Sequence, residues 1–379
     1  MKIIYLCYFD LDSTKFIGVK KKIYGQVKAM NDLKHDCSIA FCSNNMLKID
    51  DKEIYSKAGI TNYRKSVYNN FKKNQKLLKC DMLYIRFPGT VDYYLYKTCK
   101  LLDKKNIKVI LELPTYPLEG EYKEVLYRFR KEKQYGRLIK MLANILLNNV
   151  FSKFLKKTDC NIVTYMQHNQ IWGIKPIVID NGIDTEKIKK IKKEEKVTDT
   201  FNFVTVANIA KWHGIDRVIE GINNYVKNSK PEKIKVILHV VGEGEGKKDL
   251  EELVEKYKLN NYVKFYGLKQ GKELEEIYSQ ANIAVGSLGL HRIGLYEGST
   301  LKIKEYCAFG IPFILSYKER EIDDKFKYAL QLENNDSPVD IKKCIEFYNQ
   351  LDEDYQENMN VYAKEKYDWK IQMEKILEK

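Results

Sequence analysis

Eleven short apolar runs, separated for the most part by charge-rich segments of helical pattern, do most to restrict what this chain can fold into. The runs are 2–9, 37–42, 82–87, 107–112, 160–164 and 176–180, followed by 202–207, 234–241, 262–266, 282–286 and 312–315. In the second series the intervening segments 214–227, 246–257, 271–280 and 301–309 carry the helical pattern. Strands alternating with helices predict parallel sheets covered by helices on both faces, and two such series predict two similar domains. The expected organisation is an N-terminal Rossmann-like domain over 1–185, an almost wholly charged linker at 186–200, and a second Rossmann-like domain over 201–345. Helices over 346–379 are expected to cross back to the first domain. In such sheets ligands bind beyond the carboxyl ends of the strands, so the expected site is a cleft between the domains.

A length of 379 residues is sufficient for two domains with their own cores, and 44% apolar content argues for a folded globular protein. Eight cysteines show no Cys-x-x-Cys pair and no histidine at zinc spacing. Several lie within apolar runs and read as buried thiols in a reducing cytosol. The run at 3–9 is short and ends at Asp10, which predicts a first strand rather than a signal peptide. No eighteen apolar residues run together, so the sequence predicts no membrane span. Net charge is uneven. Residues 1–185 hold 33 Lys and Arg against 18 Asp and Glu, whereas 186–379 hold 33 against 34. The basic counts match and only the acids differ, so a coding bias towards Lys does not account for the asymmetry. A basic first half points to an anionic partner: a membrane surface, a lipid-phosphate acceptor or nucleic acid.

The motif richest in chemistry is Glu297-Gly298-Ser299-Thr300-Leu301-Lys302-Ile303-Lys304-Glu305, which runs on to Gly310-Ile311-Pro312. Glu297 lies on a glycine turn, and Glu305 lies about two turns into a helix that Gly310 ends. The free N–H groups of that helix offer a site for a diphosphate. Two carboxylates around such a site suit a nucleotide-sugar, one binding hydroxyls of the sugar and the other those of the ribose. The paired glutamates, the small-residue turn and the closing Gly-Ile-Pro resemble the donor site of retaining glycosyltransferases of family 4. Over nearly the whole chain, that resemblance implies two facing Rossmann-like domains (the GT-B architecture), an α/β fold with the nucleotide-sugar site in the interdomain cleft. It also implies sugar transfer with retention at the anomeric carbon, no essential metal and no cofactor.

The resemblance extends to other segments. In Asn208-Ile-Ala-Lys211-Trp212-His213-Gly214-Ile-Asp216-Arg217, Asn208 stands where the family has an arginine and His213 where it has a lysine. Lys211 is then a candidate for the missing cation. This Trp-His-Gly-x-Asp-Arg version is similar to a bacterial subset that builds surface polysaccharides. Asp216 and Arg217 also read as a cap and an ion pair on a helix face. Glycines 242, 244 and 246 form a turn between strand and helix that shapes the cleft, and Gly242 is a candidate nucleotide contact. The loop holding His291 and Arg292 suggests an anion contact. Gly18 marks the loop that, in the family, closes over the donor phosphates. The expected catalytic set is Glu297, Lys211, His213 and His291. The expected donor set is Gly18, Gly242, Gly298, Ser299, Thr300, Leu301, Lys302 and Glu305. Tyr116 and Glu121, in the proline-containing segment after Glu112, are expected to bind the acceptor.

Two rival classes fit part of this pattern. A sugar-nucleotide epimerase of the same architecture would need no acceptor, and a non-catalytic binding relative would tolerate Asn208. Asp10-x-Asp12-x-Thr14 after the first strand resembles the nucleophile loop of haloacid-dehalogenase-type phosphatases, but that reading leaves the second domain without a purpose. The expected partners are therefore a nucleotide-sugar donor, UDP-linked, and a glycan or lipid-linked acceptor, with no nucleic acid. Residues 118–157 combine ten Lys and Arg with apolar residues at helical spacing, which fits equally a core helix with a solvated basic face and peripheral contact with the inner face of an anionic membrane.

Overall fold

The computed structural model describes residues 1–11, 17–43, 46–50, 52–54, 63–74, 78–186, 188, 199–228, 234–322 and 325–378. These residues form two compact units, one of 1–182 with 369–379 and one of 183–368.

In the first unit the strands are β1 (Lys2–Cys7), β2 (Asp36–Ser43), β3 (Met46–Ile49), β4 (Lys52–Ile54), β5 (Met82–Arg86), β6 (Lys108–Leu113), β7 (Cys160–Thr164) and β8 (Ile177–Val178). They form one sheet in the order β4-β3-β2-β1-β5-β6-β7-β8. Pairing is parallel except at β2–β3 and β3–β4. The central strands β1 and β5 are apolar at nearly every position and are buried on both faces, as a sheet sandwiched by helices requires. The helices are α1 (Ile17–Asp32), α2 (Tyr63–Lys73), α3 (Tyr93–Asp103), α4 (Glu119–Lys131) and α5 (Tyr135–Leu155). Asp92 starts α3 by accepting the Leu95 N–H at 2.9 Å, and Arg64 holds the same carboxylate at 2.7 Å.

The second unit holds β9 (Thr200–Val206), β10 (Lys235–Val241), β11 (Val263–Phe265), β12 (Ile283–Val285), β13 (Glu297–Gly298), β14 (Phe313–Leu315), β15 (Lys318–Glu319) and β16 (Ala329–Gln331). Its main sheet runs β11-β10-β9-β12-β14-β16 and is wholly parallel, while β13 and β15 pair separately. The helices are α6 (Ile215–Lys227), α7 (Lys247–Tyr257), α8 (Lys272–Ser279), α9 (Leu301–Phe309), α10 (Ile341–Asn349) and α11 (Tyr355–Lys366). Alternation along β9 sends Phe203 into one buried cluster and Val204 into the other, so the sheet has an apolar core on each face. The chain order reverses at β9, which lies between β10 and β12. The carboxyl end of β9 is therefore the switch point at which doubly wound sheets bind ligands.

Every strand expected from the sequence is present. The hairpin β3–β4, the edge strand β16 and the two-residue strands β13 and β15 were not expected. The tail also divides differently. α11 packs on α9 within the second unit, and only α12 (Trp369–Leu377) joins the first, where it packs on α1. The Trp369 ring lies so close to Gly25 and Gly182 that a Cβ at either position would come within 2.6 Å of it. Tryptophan there is a packing anchor. The expected linker lies mostly outside the described residues, as do Asp12, Ser13 and Thr14 of the aspartate motif.

Candidate active site

The switch point of the second sheet is built from two loops tied to each other. The loop after β9 makes a helical turn at Lys211–His213, and the loop after β12 makes another at Leu290–Ile293. Leu288 N–H donates to the His213 carbonyl at 2.9 Å and Gly289 N–H to the Trp212 carbonyl at 3.2 Å. Gly214 joins the first turn to α6 with φ +63°, and a Cβ there would lie 2.7 Å from the Leu288 carbonyl carbon. Glycine is required on both counts.

Charged residues of the motif complete the tie. Arg292 donates to Asp216 through Nη1 at 2.9 Å and Nη2 at 2.7 Å, to Asp336 through Nε at 2.7 Å, and to the Lys211 carbonyl at 2.7 Å. Arg217 is buried and spends its guanidinium on the carbonyls of Leu288, Glu333 and Ser337. His291 is held between Asn334 at 2.9 Å and Asp336 at 3.1 Å. Asp216, Arg217 and Arg292 therefore fix loop geometry. The Arg292 guanidinium is taken up by Asp216, Asp336 and the Lys211 carbonyl, and Asp216 pairs with Arg292 instead of with its neighbour Arg217.

α9 begins at Leu301 beside these loops. The Thr300 side chain does not cap it but bonds to the Tyr317 hydroxyl at 2.6 Å, so the first turn lacks a side-chain cap from that position. Two residues into the helix, the Lys302 ammonium is buried and has no hydrogen-bonding partner among the described residues. Burial pushes its pKa down to about 7. His213 is close enough to feel that charge. Burial first, and Lys302 second, push the imidazole down to about 3, so His213 is neutral at physiological pH. Its Nδ1 accepts the Ala210 N–H at 3.2 Å, which leaves the ring proton on Nε2 as a donor. A buried, unsatisfied cation, a neutral N–H donor and a helix N-terminus are thus gathered at one place. Each favours an anion.

The flanking glutamates are half-buried. Glu297 lies on β13, paired with Lys318 of β15, and its carboxylate has no hydrogen-bonding partner among the described residues. Glu305 lies two turns along α9. The turn between them is held from beneath by Glu319, which accepts from the Thr300 N–H at 3.2 Å, the Tyr317 hydroxyl at 2.8 Å and the Lys304 ammonium at 2.8 Å. Lys304 is fully buried, lies 3.2 Å from Glu321 and caps the Tyr367 ring. Breaking a buried pair of this kind costs about 3–5 kcal/mol. This arrangement has no local signal in the sequence, where Lys318-Glu319-Arg320-Glu321 is a run of four charges.

Lys211 is 80% exposed and its ammonium lies 3.7 Å from Asp249. The enclosed cation is instead Lys302. Gly242 has φ +126°, and a Cβ there would meet the Ala207 carbonyl oxygen at 1.9 Å. Close packing against the loop after β9 accounts for this glycine without a ligand.

In the first unit the sheet carries a buried charged cluster. Glu112 of β6 accepts from Arg86 of β5, from the hydroxyls of Tyr5 and Tyr165, and from Gln26 of α1 at 3.4 Å. Lys22 of α1 lies 3.3 Å from Glu112, stands over the Tyr165 ring and donates to Asn181 at 2.8 Å. Of the expected acceptor residues, Tyr116 packs edge-on against His168 and Trp172, while Glu121 is solvent-exposed in the first turn of α4. Gly18 is exposed near the start of α1.

Comparison with known proteins agrees with this geometry. Residues 186–365 match the family model for glycosyl transferases group 1. An uncharacterized glycosyltransferase of Methanocaldococcus jannaschii, MJ1069, is 27% identical over 297 residues, covering 75% of this chain and 70% of its own. A glycosyltransferase from Rickettsia africae superimposes with TM-score 0.65 at 14% identity, covering 100% of this chain and 97% of that one. The Anabaena protein Alr3699/HepE, solved with UDP, gives TM-score 0.61 at 13% identity, with 100% and 99% covered. The matched segment takes in the loops around Lys302 as well as both glutamates. Residues 186–365 are accordingly similar to a glycosyl transferases group 1 domain, and the chain has the GT-B fold, with two Rossmann-like domains.

Proposed function

We propose that this protein transfers a sugar, with retention of anomeric configuration, from a UDP-sugar to a glycan or lipid-linked acceptor in the assembly of a surface polysaccharide. The observation that carries the donor assignment is the buried, unpartnered Lys302 ammonium in the first turn of α9, between Glu297 and Glu305. A diphosphate at that helix end gives the lysine its missing partner and receives a second contact from the His213 Nε2–H. Glu305 then binds the ribose hydroxyls and Glu297 the sugar. The resemblance of this motif to retaining family-4 enzymes supports retention, and the UDP bound in the Anabaena neighbour supports the choice of nucleotide.

As the glycosidic bond breaks, charge builds on the departing diphosphate. Lys302, His213 and the first-turn N–H groups are fixed in advance to stabilise it. The acceptor hydroxyl attacks from the leaving-group face and gives its proton to the diphosphate. Tyr116 and Glu121 are the proposed acceptor contacts.

The test is a panel of UDP-, GDP- and ADP-sugars with nucleotide release followed, with and without acceptor glycans, in excess EDTA. Acceptor-dependent UDP release that survives EDTA supports the reading. Donor interconversion without acceptor identifies an epimerase, and binding without turnover identifies a non-catalytic relative. Strict metal dependence abolished by Asp10→Asn returns the aspartate motif to the lead.

A further inference from the structure

Helix α5 presents an apolar stripe to solvent. Ile139, Leu142, Leu146 and Val150 recur at intervals of three and four and are 67%, 51%, 65% and 44% exposed. Tyr135 precedes them at 60% and Phe154 follows at 37%. The opposite face anchors the helix. Asn148, Ser152 and Leu155 are buried, and Met141, Ile145 and Phe151 pack against the core. The Asn148 side-chain Oδ1 accepts the Val91 N–H at 2.9 Å. In the sequence a core helix and a membrane-facing helix predict the same periodicity. α5 has a core-packed face and, opposite it, an exposed apolar stripe.

By length and composition α5 is the described helix that could cross a bilayer, contrary to the expectation from apolar runs. At 21 residues it is about 31 Å long, which matches a hydrocarbon core. Its inner face is nevertheless attached along the helix and carries Asn148 and Ser152. A helix so held can lie on a membrane but cannot be threaded through it without tearing that face from the domain.

Charge identifies the surface it would meet. Across 118–157, Arg128, Arg130, Lys131, Lys133, Arg137, Lys140 and four other basic residues face Glu119, Glu121, Glu124 and Glu132. The six named cations are all exposed. A two-fold interface between copies of this chain would set each basic patch against its own duplicate. An anionic leaflet attracts the same charges while it takes up the stripe.

We propose that α5 docks in the plane of an anionic lipid surface, with Ile139, Leu142 and Leu146 inserted at the headgroup boundary and the basic residues of α4 and the α4–α5 junction bound to lipid phosphates. The assignment stands independently of the donor site, because it is read without any nucleotide-sugar.

The test is sedimentation of the full chain with vesicles of phosphatidylcholine alone or mixed with phosphatidylglycerol. The protein is expected to pellet with the mixed vesicles only, and less as salt rises. Each basic residue near the leaflet contributes about a fivefold factor, so replacing Arg128, Arg130, Lys131 and Lys133 by Gln is expected to lower partitioning several hundredfold and reversing them to Glu to lower it further. Replacing Ile139, Leu142 and Leu146 by Gln is expected to abolish it. Thermal melts report whether the variants fold. Leu146→Trp supplies an independent readout, expected as a blue shift of emission on adding mixed vesicles. Equal pelleting with both vesicle types, or none with either, overturns the proposal. So does resistance to carbonate extraction, which identifies a spanning helix, or a dimer in solution that the Gln triple variant dissociates.

Discussion

Arg292 closes on Asp216 through two parallel hydrogen bonds, 2.9 and 2.7 Å, and so joins the loop after β12 to the first turn of α6. The pair is partly exposed, at 21% and 33%, but its fork geometry and the additional bond to Asp336 make it stronger than an isolated surface pair. Asp216→Ala is expected to cost about 1–2 kcal/mol and to leave the Lys211–His213 turn loosely held. Urea unfolding checks the first effect and UDP affinity, a few-fold weaker, the second. An unfolding midpoint equal to wild type would show that Asp216 is not a lock.

Lys302 sets stability against binding. Its folded pKa of about 7 lies below the ordinary lysine value of 10.5, so between those values the unfolded chain holds a proton that the folded chain lacks. Stability therefore rises with pH through that window, and the full penalty of a buried cation is felt below about pH 7. Lys302→Met is expected to raise the melting temperature at neutral pH and to weaken UDP binding roughly ten- to a hundredfold, the loss of one charged hydrogen bond. The wild type must take up a proton to bind a diphosphate above pH 7. Its UDP affinity is expected to fall about tenfold per pH unit there, with the Met variant flat. Calorimetry in buffers of different ionisation heat reads the proton directly, and an unchanged count in the variant would clear Lys302 of the role.

The two glutamates are expected to divide the donor between them. Glu305→Ala should weaken donor binding about ten- to a hundredfold with turnover at saturation little changed, as for a ribose contact worth about 1.5–3 kcal/mol. Glu297→Ala should lower turnover itself, because the proposed donor pose puts it at the sugar end. Steady-state kinetics separate the two, and a Glu297→Ala enzyme with full turnover at saturating donor would overturn the assignment.

The fold was legible wherever burial on both sides of a strand writes a continuous apolar run, as at Ile3–Tyr8 and Val236–Val241. It was illegible where a strand is short or at an edge. Lys48, Lys52 and Glu53 carry no such signal, and two-residue β13 and β15 are too brief to show one. The site was legible through local spacing, since Glu297, Lys302 and Glu305 belong to one loop and helix. What escaped were partnerships across the chain. Arg217 meets Ser337, and Asp216 meets Arg292, 76 residues away. Glu319 appears as one charge among four until Thr300, Tyr317 and Lys304 converge on it. Lys211 and Lys302 look alike in sequence. Only the enclosure of one ammonium and the exposure of the other tells them apart.

The Glu112 cluster predicts how the protein responds to acid. Burial alone would raise the pKa of Glu112, but Arg86 and then Lys22, helped by the Tyr165 and Tyr5 hydroxyls, hold it down at about 2. A carboxylate depressed from 4.5 to about 2 contributes roughly 3–4 kcal/mol, at 1.4 kcal/mol per pH unit. That stability is present above pH 4.5 and is lost as pH falls towards 2. Glu112→Gln keeps the shape but leaves Arg86 and Lys22 facing each other without a countercharge, a loss expected at about 3–5 kcal/mol at neutral pH. The remaining stability should then vary less between pH 4.5 and 2 than in the wild type. Adding Lys22→Met to Glu112→Gln removes one of the opposed cations and should recover part of the loss. Unfolding midpoints across pH 2–7 for the three proteins decide the matter, and an acid limb as steep in Glu112→Gln as in wild type would place the acid-sensitive carboxylate elsewhere.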